Sequence, residues 1–239
     1  MIVEGGQSVY GASIGILMLE AQFPRIPGDM GNATTWPFPV HYKVVRGASP
    51  DLVVRKGAPG LLDSFVAAGQ ELIGMGATGI TTNCGFLSLF QAPLKEALGV
   101  PVAASSLMQV PLLQSLQPPG KSVGILTISP ATLTQAHLAA AGISGNVPIG
   151  GTAEGAEFTE AILGNRPRMD VARARQDMLD AARDFADRYP DVSALVLECT
   201  NMCPYATDIA RETGLPVYSI YDFVCWFHAG LRPTAFAQP

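Results

Sequence analysis

Short, uninterrupted apolar runs alternate along this chain with longer stretches whose apolar residues recur at helical spacing, the pattern of parallel strands with covering helices. The β-rich runs predict strands at Ile14–Leu19, Val40–Arg46, Gly79–Asn83, Val102–Ala104, Val123–Ile128, Ala194–Glu198 and Val217–Ile220. Helical spacing is clearest over Leu61–Ile73, where Leu61, Leu62, Phe65, Val66, Leu72 and Ile73 share one face. It is equally clear over Asp170–Tyr189, where Val171, Ala174, Met178, Ala181, Ala182 and Phe185 form a stripe opposite a charged face. Shorter helices are predicted at Thr132–Ala141, Phe158–Leu163, Pro204–Thr213 and Asp222–Ala229.

The run Ser13-Ile-Gly-Ile-Leu17 returns 109 residues later as Ser122-Val-Gly-Ile-Leu126. A cysteine at the end of a later strand follows each copy, Cys84 after 71 residues and Cys199 after 77. The agreement predicts a duplicated α/β unit. Gln117-Pro-Pro-Gly-Lys121 is the natural linker between the copies. Gln22–Pro39, with four Pro and two Gly, stands where a helix would ordinarily follow the first strand and is a candidate active-site loop or lid.

Composition narrows the picture. Charged residues are 15% of the 239 and apolar ones 48%, with a net charge of −5, which describes a folded globular chain with a large core. No run of Lys or Arg offers a nucleic-acid surface, and no segment reaches the apolar length of a membrane span. The start of the chain lacks the pattern of a signal peptide, so the expected location is cytoplasmic and the four cysteines are expected to be reduced thiols. The high apolar fraction suits a homodimer.

Cys84 and Cys199 lie where apolar strands give way to Thr and Asn. In open α/β sheets ligands bind beyond such strand ends, and the helix starts there present N–H groups that favour a thiolate or a bound carboxylate. Cys225, inside Phe223-Val-Cys-Trp-Phe227, reads as a packing residue, and Cys203 as a neighbour of the site. Cys199 and Cys203 have a spacing that a zinc site could use, but no second Cys pair exists and His41, His137 and His228 show no ligand spacing. Neither a dinucleotide-binding glycine turn nor a phosphate-binding Gly-Lys-Ser/Thr motif follows a strand, so no cofactor or metal is expected.

With Glu198-Cys-Thr-Asn201, Thr82-Asn-Cys-Gly85 and the second glycine-containing strand in view, the chain resembles the aspartate/glutamate racemase superfamily. These cofactor-independent proteins include glutamate, aspartate and hydantoin racemases, arylmalonate decarboxylases and maleate isomerases. The resemblance implies two pseudo-symmetric Rossmann-like α/β domains with parallel sheets, residues 1–117 plus 206–239 and residues 118–205, and an active site in the cleft between them. It implies a racemase or epimerase acting next to a carboxylate or carbonyl, with Cys84 and Cys199 as the acid and base. Thr82, Asn83, Gly85, Thr200, Asn201 and Arg46 would hold a carboxylate or hydantoin substrate. The family order is Cys-Asn-Thr where this chain has Thr82-Asn83-Cys84, so Thr82 is the alternative occupant of the first catalytic position. One-thiol decarboxylation, cis-trans isomerisation and ligand binding without catalysis are the alternative activities.

Overall fold

A computed structural model describes residues 2–236. Two sheets, each of four parallel strands, make up the fold. The first contains β1 (Ile14–Leu19), β2 (Val40–Val45), β3 (Gly79–Thr82) and β4 (Val102–Ala103) in the order β2-β1-β3-β4. The second contains β5 (Ser122–Thr127), β6 (Ile149–Gly151), β7 (Val192–Leu197) and β8 (Val217–Tyr218) in the order β6-β5-β7-β8. Identical strand order in both sheets is the duplication expected from the repeated strand. All six residues of β1 are buried, as strands covered on both faces require.

Register makes the repeat literal. Leu17 of the first copy pairs with Thr82, and Leu126, its counterpart, pairs with Leu197. Cys84 and Cys199 each lie two residues beyond that partner, so they occupy equivalent positions in the two sheets. The residues before them also correspond: the Asn83 amide donates to the Leu17 carbonyl at 3.0 Å, and the Glu198 amide to the Leu126 carbonyl at 2.9 Å.

The helices are α1 (Pro50–Val54), α2 (Leu62–Gly74), α3 (Gln91–Leu98), α4 (Gln109–Leu116), α5 (Gln135–Ala140), α6 (Glu157–Leu163), α7 (Val171–Arg188), α8 (Ala206–Thr213) and α9 (Ile220–Leu231). Helix α7 begins where the Asp170 carboxylate accepts from the amides of Ala172 and Arg173, and it buries Ala174, Met178, Ala181, Ala182 and Phe185. Caps explain two shifts from the expected bounds. Thr134 caps α5, so that helix starts at Gln135 and not at Thr132; Ser219, with Asp222, caps α9, so β8 stops at Tyr218. Helices α3 and α4 and strand β6 carry too few periodic positions to be visible in the sequence.

The chain stays with the second sheet longer than the division at residue 206 supposed. Helix α8 leads into β8, which pairs with β7, and only α9 returns to the first sheet. There Ile220, Phe223 and Val224 pack with Ile14, Ile16, Met30 and Trp36, covering a face of the first sheet. No helix among the described residues is long and apolar enough to cross a membrane.

Candidate active site

Each cysteine caps a short 3-10 segment, Cys84 before Gly85–Phe90 and Cys199 before Thr200–Tyr205. The same hydrogen bond closes both turns: the Leu87 amide donates to the Cys84 carbonyl and the Met202 amide to the Cys199 carbonyl, each at 3.0 Å. Both thiols line one narrow cavity between the two sheets. Its polar wall is Asn83, Cys84, Glu198, Cys199, Thr200 and Asn201, and its apolar wall includes Phe23, Phe86, Ile128 and Leu163.

Burial, first, and the Glu198 carboxylate, second, push both thiols well above the usual cysteine range. Backbone amides act in the opposite direction, Phe86 and Leu87 at Cys84 and Asn201 at Cys199, and Arg25 adds a smaller lowering at Cys84. The site therefore has the means to hold a thiolate but does not favour one at rest.

The structure sorts the expected binding residues into three groups. Asn83, Gly85, Thr200 and Asn201 line the cavity with the cysteines. Thr82 does not: its buried hydroxyl donates to the Ala104 carbonyl at 2.6 Å and accepts from the Cys84 amide at 3.4 Å, so it shapes the turn beneath Cys84. Arg46 lies outside as well, with its side chain 89% exposed and paired with Glu20 at 2.8 Å. It ends an edge strand and faces solvent, which removes it from the carboxylate-binding set. Cys203 turns away toward a separate depression that also contains Gly28 and Ser219, and burial pushes its thiol up to about 12. Among the described residues, no group of three His, Cys, Asp or Glu is placed to hold a metal ion.

The Pro-rich segment folds over the cavity. Phe23 contributes to its wall, and Asp29, almost fully buried, accepts from the Asn201 side-chain amide at 2.6 Å. Asn201 in turn accepts from the Cys199 thiol at 3.7 Å, which joins the segment to that sulfur. Arg25 at 2.8 Å and the Gly31 amide at 2.7 Å fix the other Asp29 oxygen. Gly28 is required where the segment crosses Pro204: its φ is +96°, and a Cβ there would lie 3.1 Å from the Pro204 Cα.

Glu198 is the residue that motif reading passed over. It is fully buried, its Oε2 accepts from the Thr127 hydroxyl at 2.6 Å, and its Oε1 has no hydrogen-bond partner among the described residues. Burial raises its pKa to about 7, against the lowering effects of the Thr127 hydroxyl and the Ile128 amide. The signal was in the sequence: a carboxylate ending an apolar strand beside a reactive cysteine is costly to bury without a purpose.

Solved structures define the class of fold. Unliganded arylmalonate decarboxylase superposes with a TM-score of 0.60 at 20% identity, covering 95% of this chain and 96% of that one. A glutamate racemase isoform from Bacillus anthracis gives 0.60 at 17% identity over 93% of this chain and 83% of that one. The chain shares the fold of arylmalonate decarboxylase and glutamate racemase.

Among characterised sequences the chain is similar to a dimethylsulfoniopropionate lyase from Durusdinium sp. clade D, 28% identical over 216 residues, covering 87% of this chain and 71% of that protein. Dimethylsulfoniopropionate lyase 7 of Emiliania huxleyi (strain CCMP1516) is 26% identical over 86% of this chain and 63% of its own length, so the chain spans only part of these proteins. No family model matches. These relatives correct the racemase expectation. The chemistry named for the similar sequences is lyase chemistry.

Proposed function

We propose that this chain is a lyase that takes a proton from the carbon next to a carboxylate and expels a neutral thioether from the following carbon, with dimethylsulfoniopropionate as the substrate to test. The observation that carries the reading is the pair of buried thiols at equivalent strand ends of one cavity, in a chain 28% identical over 216 residues to a lyase of that name.

The chemistry follows from the wall of the cavity. The carbon acid is weak, so the base must be positioned, kept from water and followed by a good leaving group. A thiolate of Cys84 or Cys199 removes the proton, the carbon–sulfur bond breaks with its electron pair going to sulfur, and a carbon–carbon double bond forms. Dimethylsulfoniopropionate would give acrylate and dimethyl sulfide. Asn83 and Gly85, on the cavity wall, would hold the carboxylate, while Phe23 and Phe86 offer ring surfaces of the kind that attract a compact cation.

Incubation of the purified protein with dimethylsulfoniopropionate tests the reading, with dimethyl sulfide measured in the headspace and acrylate by proton NMR. Equal release of both is expected. A folded protein that releases neither overturns it. A second reading, one-thiol decarboxylation, draws on the difference between the cysteines, since Cys199 donates to Asn201 while Cys84 is served by backbone amides. Carbon dioxide release from a substituted malonate would mark it.

A further inference from the structure

Asn201 and Phe86 each stand two residues after a cysteine, at equivalent places in the two halves. The side chain of Phe86 offers a thiol no acceptor. Asn201 does, for its Oδ1 accepts from the Cys199 thiol at 3.7 Å. An asparagine amide keeps its shape when its oxygen and nitrogen exchange places, so a neighbour must decide which of them faces the sulfur. Asp29 is that neighbour. Its Oδ2 lies 2.6 Å from the Asn201 Nδ2, and a carboxylate only accepts, so the NH2 group is drawn to Asp29 and the carbonyl oxygen is left for the thiol.

The other Asp29 oxygen is held just as firmly. It accepts from Arg25 at 2.8 Å and from the Gly31 amide at 2.7 Å, and the Arg25 guanidinium lies 4.7 Å from the centre of the Phe23 ring. The turn that carries Asp29 is closed without its side chain. The Asp29 amide donates to the Ile26 carbonyl at 2.9 Å, and the Asp29 carbonyl accepts from the Asn32 amide at 3.0 Å and the Thr35 hydroxyl at 2.7 Å.

We propose that Asp29 is a positioning residue for Cys199, acting through Asn201 to fix the direction of the thiol hydrogen and to keep that sulfur in its protonated form. A hydrogen bond given by the neutral thiol opposes loss of its proton, in the same direction as burial and the Glu198 charge. Phe86 gives Cys84 no such bond. The two sulfurs, alike in register, therefore differ in what holds their hydrogens. The consequence for catalysis rests on the lyase reading: the substrate meets Cys199 as a thiol whose hydrogen the Pro-rich segment has already placed.

Infrared spectroscopy of the S–H stretch reads this bond without any substrate. The difference between the parent chain and Cys199→Ser isolates the Cys199 band, which should stand at the lower frequency of a hydrogen-bonded thiol. Asp29→Asn preserves size and shape but leaves one carbonyl oxygen, for which two donors, one of them cationic, compete on the Arg25 side. Its NH2 group then meets the Asn201 Nδ2, and the Asn201 amide turns over, presenting NH2 to the sulfur. The Cys199 band should move to the higher frequency of a free thiol. Exchange of the two side chains, Asp29→Asn with Asn201→Asp, should bring it back, because the amide at 29 donates to a carboxylate at 201 whose second oxygen faces the thiol. A residue that served only to hold the segment would leave the band in place in Asp29→Asn. That result overturns the proposal, as does a free-thiol band in the parent or a band that the exchange fails to restore. If Asp29→Asn does not fold, Asn201→Ala supplies the reading: its band should also move, and an unmoved one shows that Oδ1 is not the acceptor and overturns the proposal. Failure of the lyase reading shows instead as absent dimethyl sulfide, and leaves these spectra as they are.

Discussion

The Thr200 hydroxyl donates to the backbone carbonyl of Asn83 at 2.7 Å. This bond joins the residue after one cysteine to the residue before the other, across the interface of the two sheets. Thr200→Val keeps the shape of the side chain and leaves a buried carbonyl unpaired, which should cost about 1 to 3 kcal/mol. Urea unfolding reads the loss, and turnover should fall with it; an unchanged midpoint would mean that the sheets are aligned by other contacts.

Cys84→Ser and Cys199→Ser should each lower dimethyl sulfide release by about 10² to 10⁴-fold, the usual contribution of a positioned proton-transfer group. Arg46→Ala is the contrasting variant. Its side chain is exposed and joined only to Glu20, so both turnover and stability should stay near the parent values, within about 0.5 kcal/mol. Activity retained in Cys84→Ser but not in Cys199→Ser would leave a single working thiol.

Asp29 ties the Pro-rich segment to the cavity wall through Asn201, while Arg25 and the Gly31 amide fix it within the segment. Asp29→Ala removes all three bonds. Amide hydrogen exchange across residues 22–39 should quicken, while exchange in β1 and β7 stays slow. The substrate KM should rise, because the wall formed by Phe23 would no longer be fixed. Unaltered exchange in the segment would show that Trp36 and Met30 alone are enough to anchor it.

The buried carboxyl of Glu198 has a signature in folding. Its pKa is about 7 in the folded chain against an ordinary value of 4.5, so between those values the folded state binds the proton and the unfolded state does not. Stability from this group is fully present below the ordinary value and falls as pH rises toward 7. The loss amounts to about 3 kcal/mol once both states are ionised. Thermal unfolding should show a steeper decline from pH 5 to pH 8 in the parent chain than in Glu198→Gln, and parallel curves would disprove the raised pKa.

Much of this architecture is legible in the sequence for a physical reason. Strands buried on both faces must be continuously apolar, so Ile14–Leu19 and Ala194–Leu197 stand out, and the long stripe of Val171–Arg188 leaves little choice but a helix. The repeated pentapeptide carries register, and register is what makes Cys84 the counterpart of Cys199 despite its altered neighbours. Arg46 and Thr82 misled because residue type at a strand end does not reveal which way a side chain turns. Arg46 follows an edge strand and faces water, and Thr82 is spent on Ala104. Glu198 was hidden for the opposite reason: next to a reactive cysteine it reads as part of a motif, and only its depth and its unpartnered oxygen set it apart. The reaction type was less legible still, since a cysteine placed to exchange a proton with carbon suits racemisation, decarboxylation and elimination alike.

The return of α9 to the first sheet bears on how the molecule is made. Strands β1 to β4 emerge first during synthesis, yet Ile14, Ile16 and Ala103 stay without part of their cover until Ile220, Phe223 and Val224 arrive more than a hundred residues later. The earlier half cannot finish folding ahead of the later one, although the two are copies of one design. Duplication has thus produced a single cooperative body from two similar units, and one melting transition is expected of it.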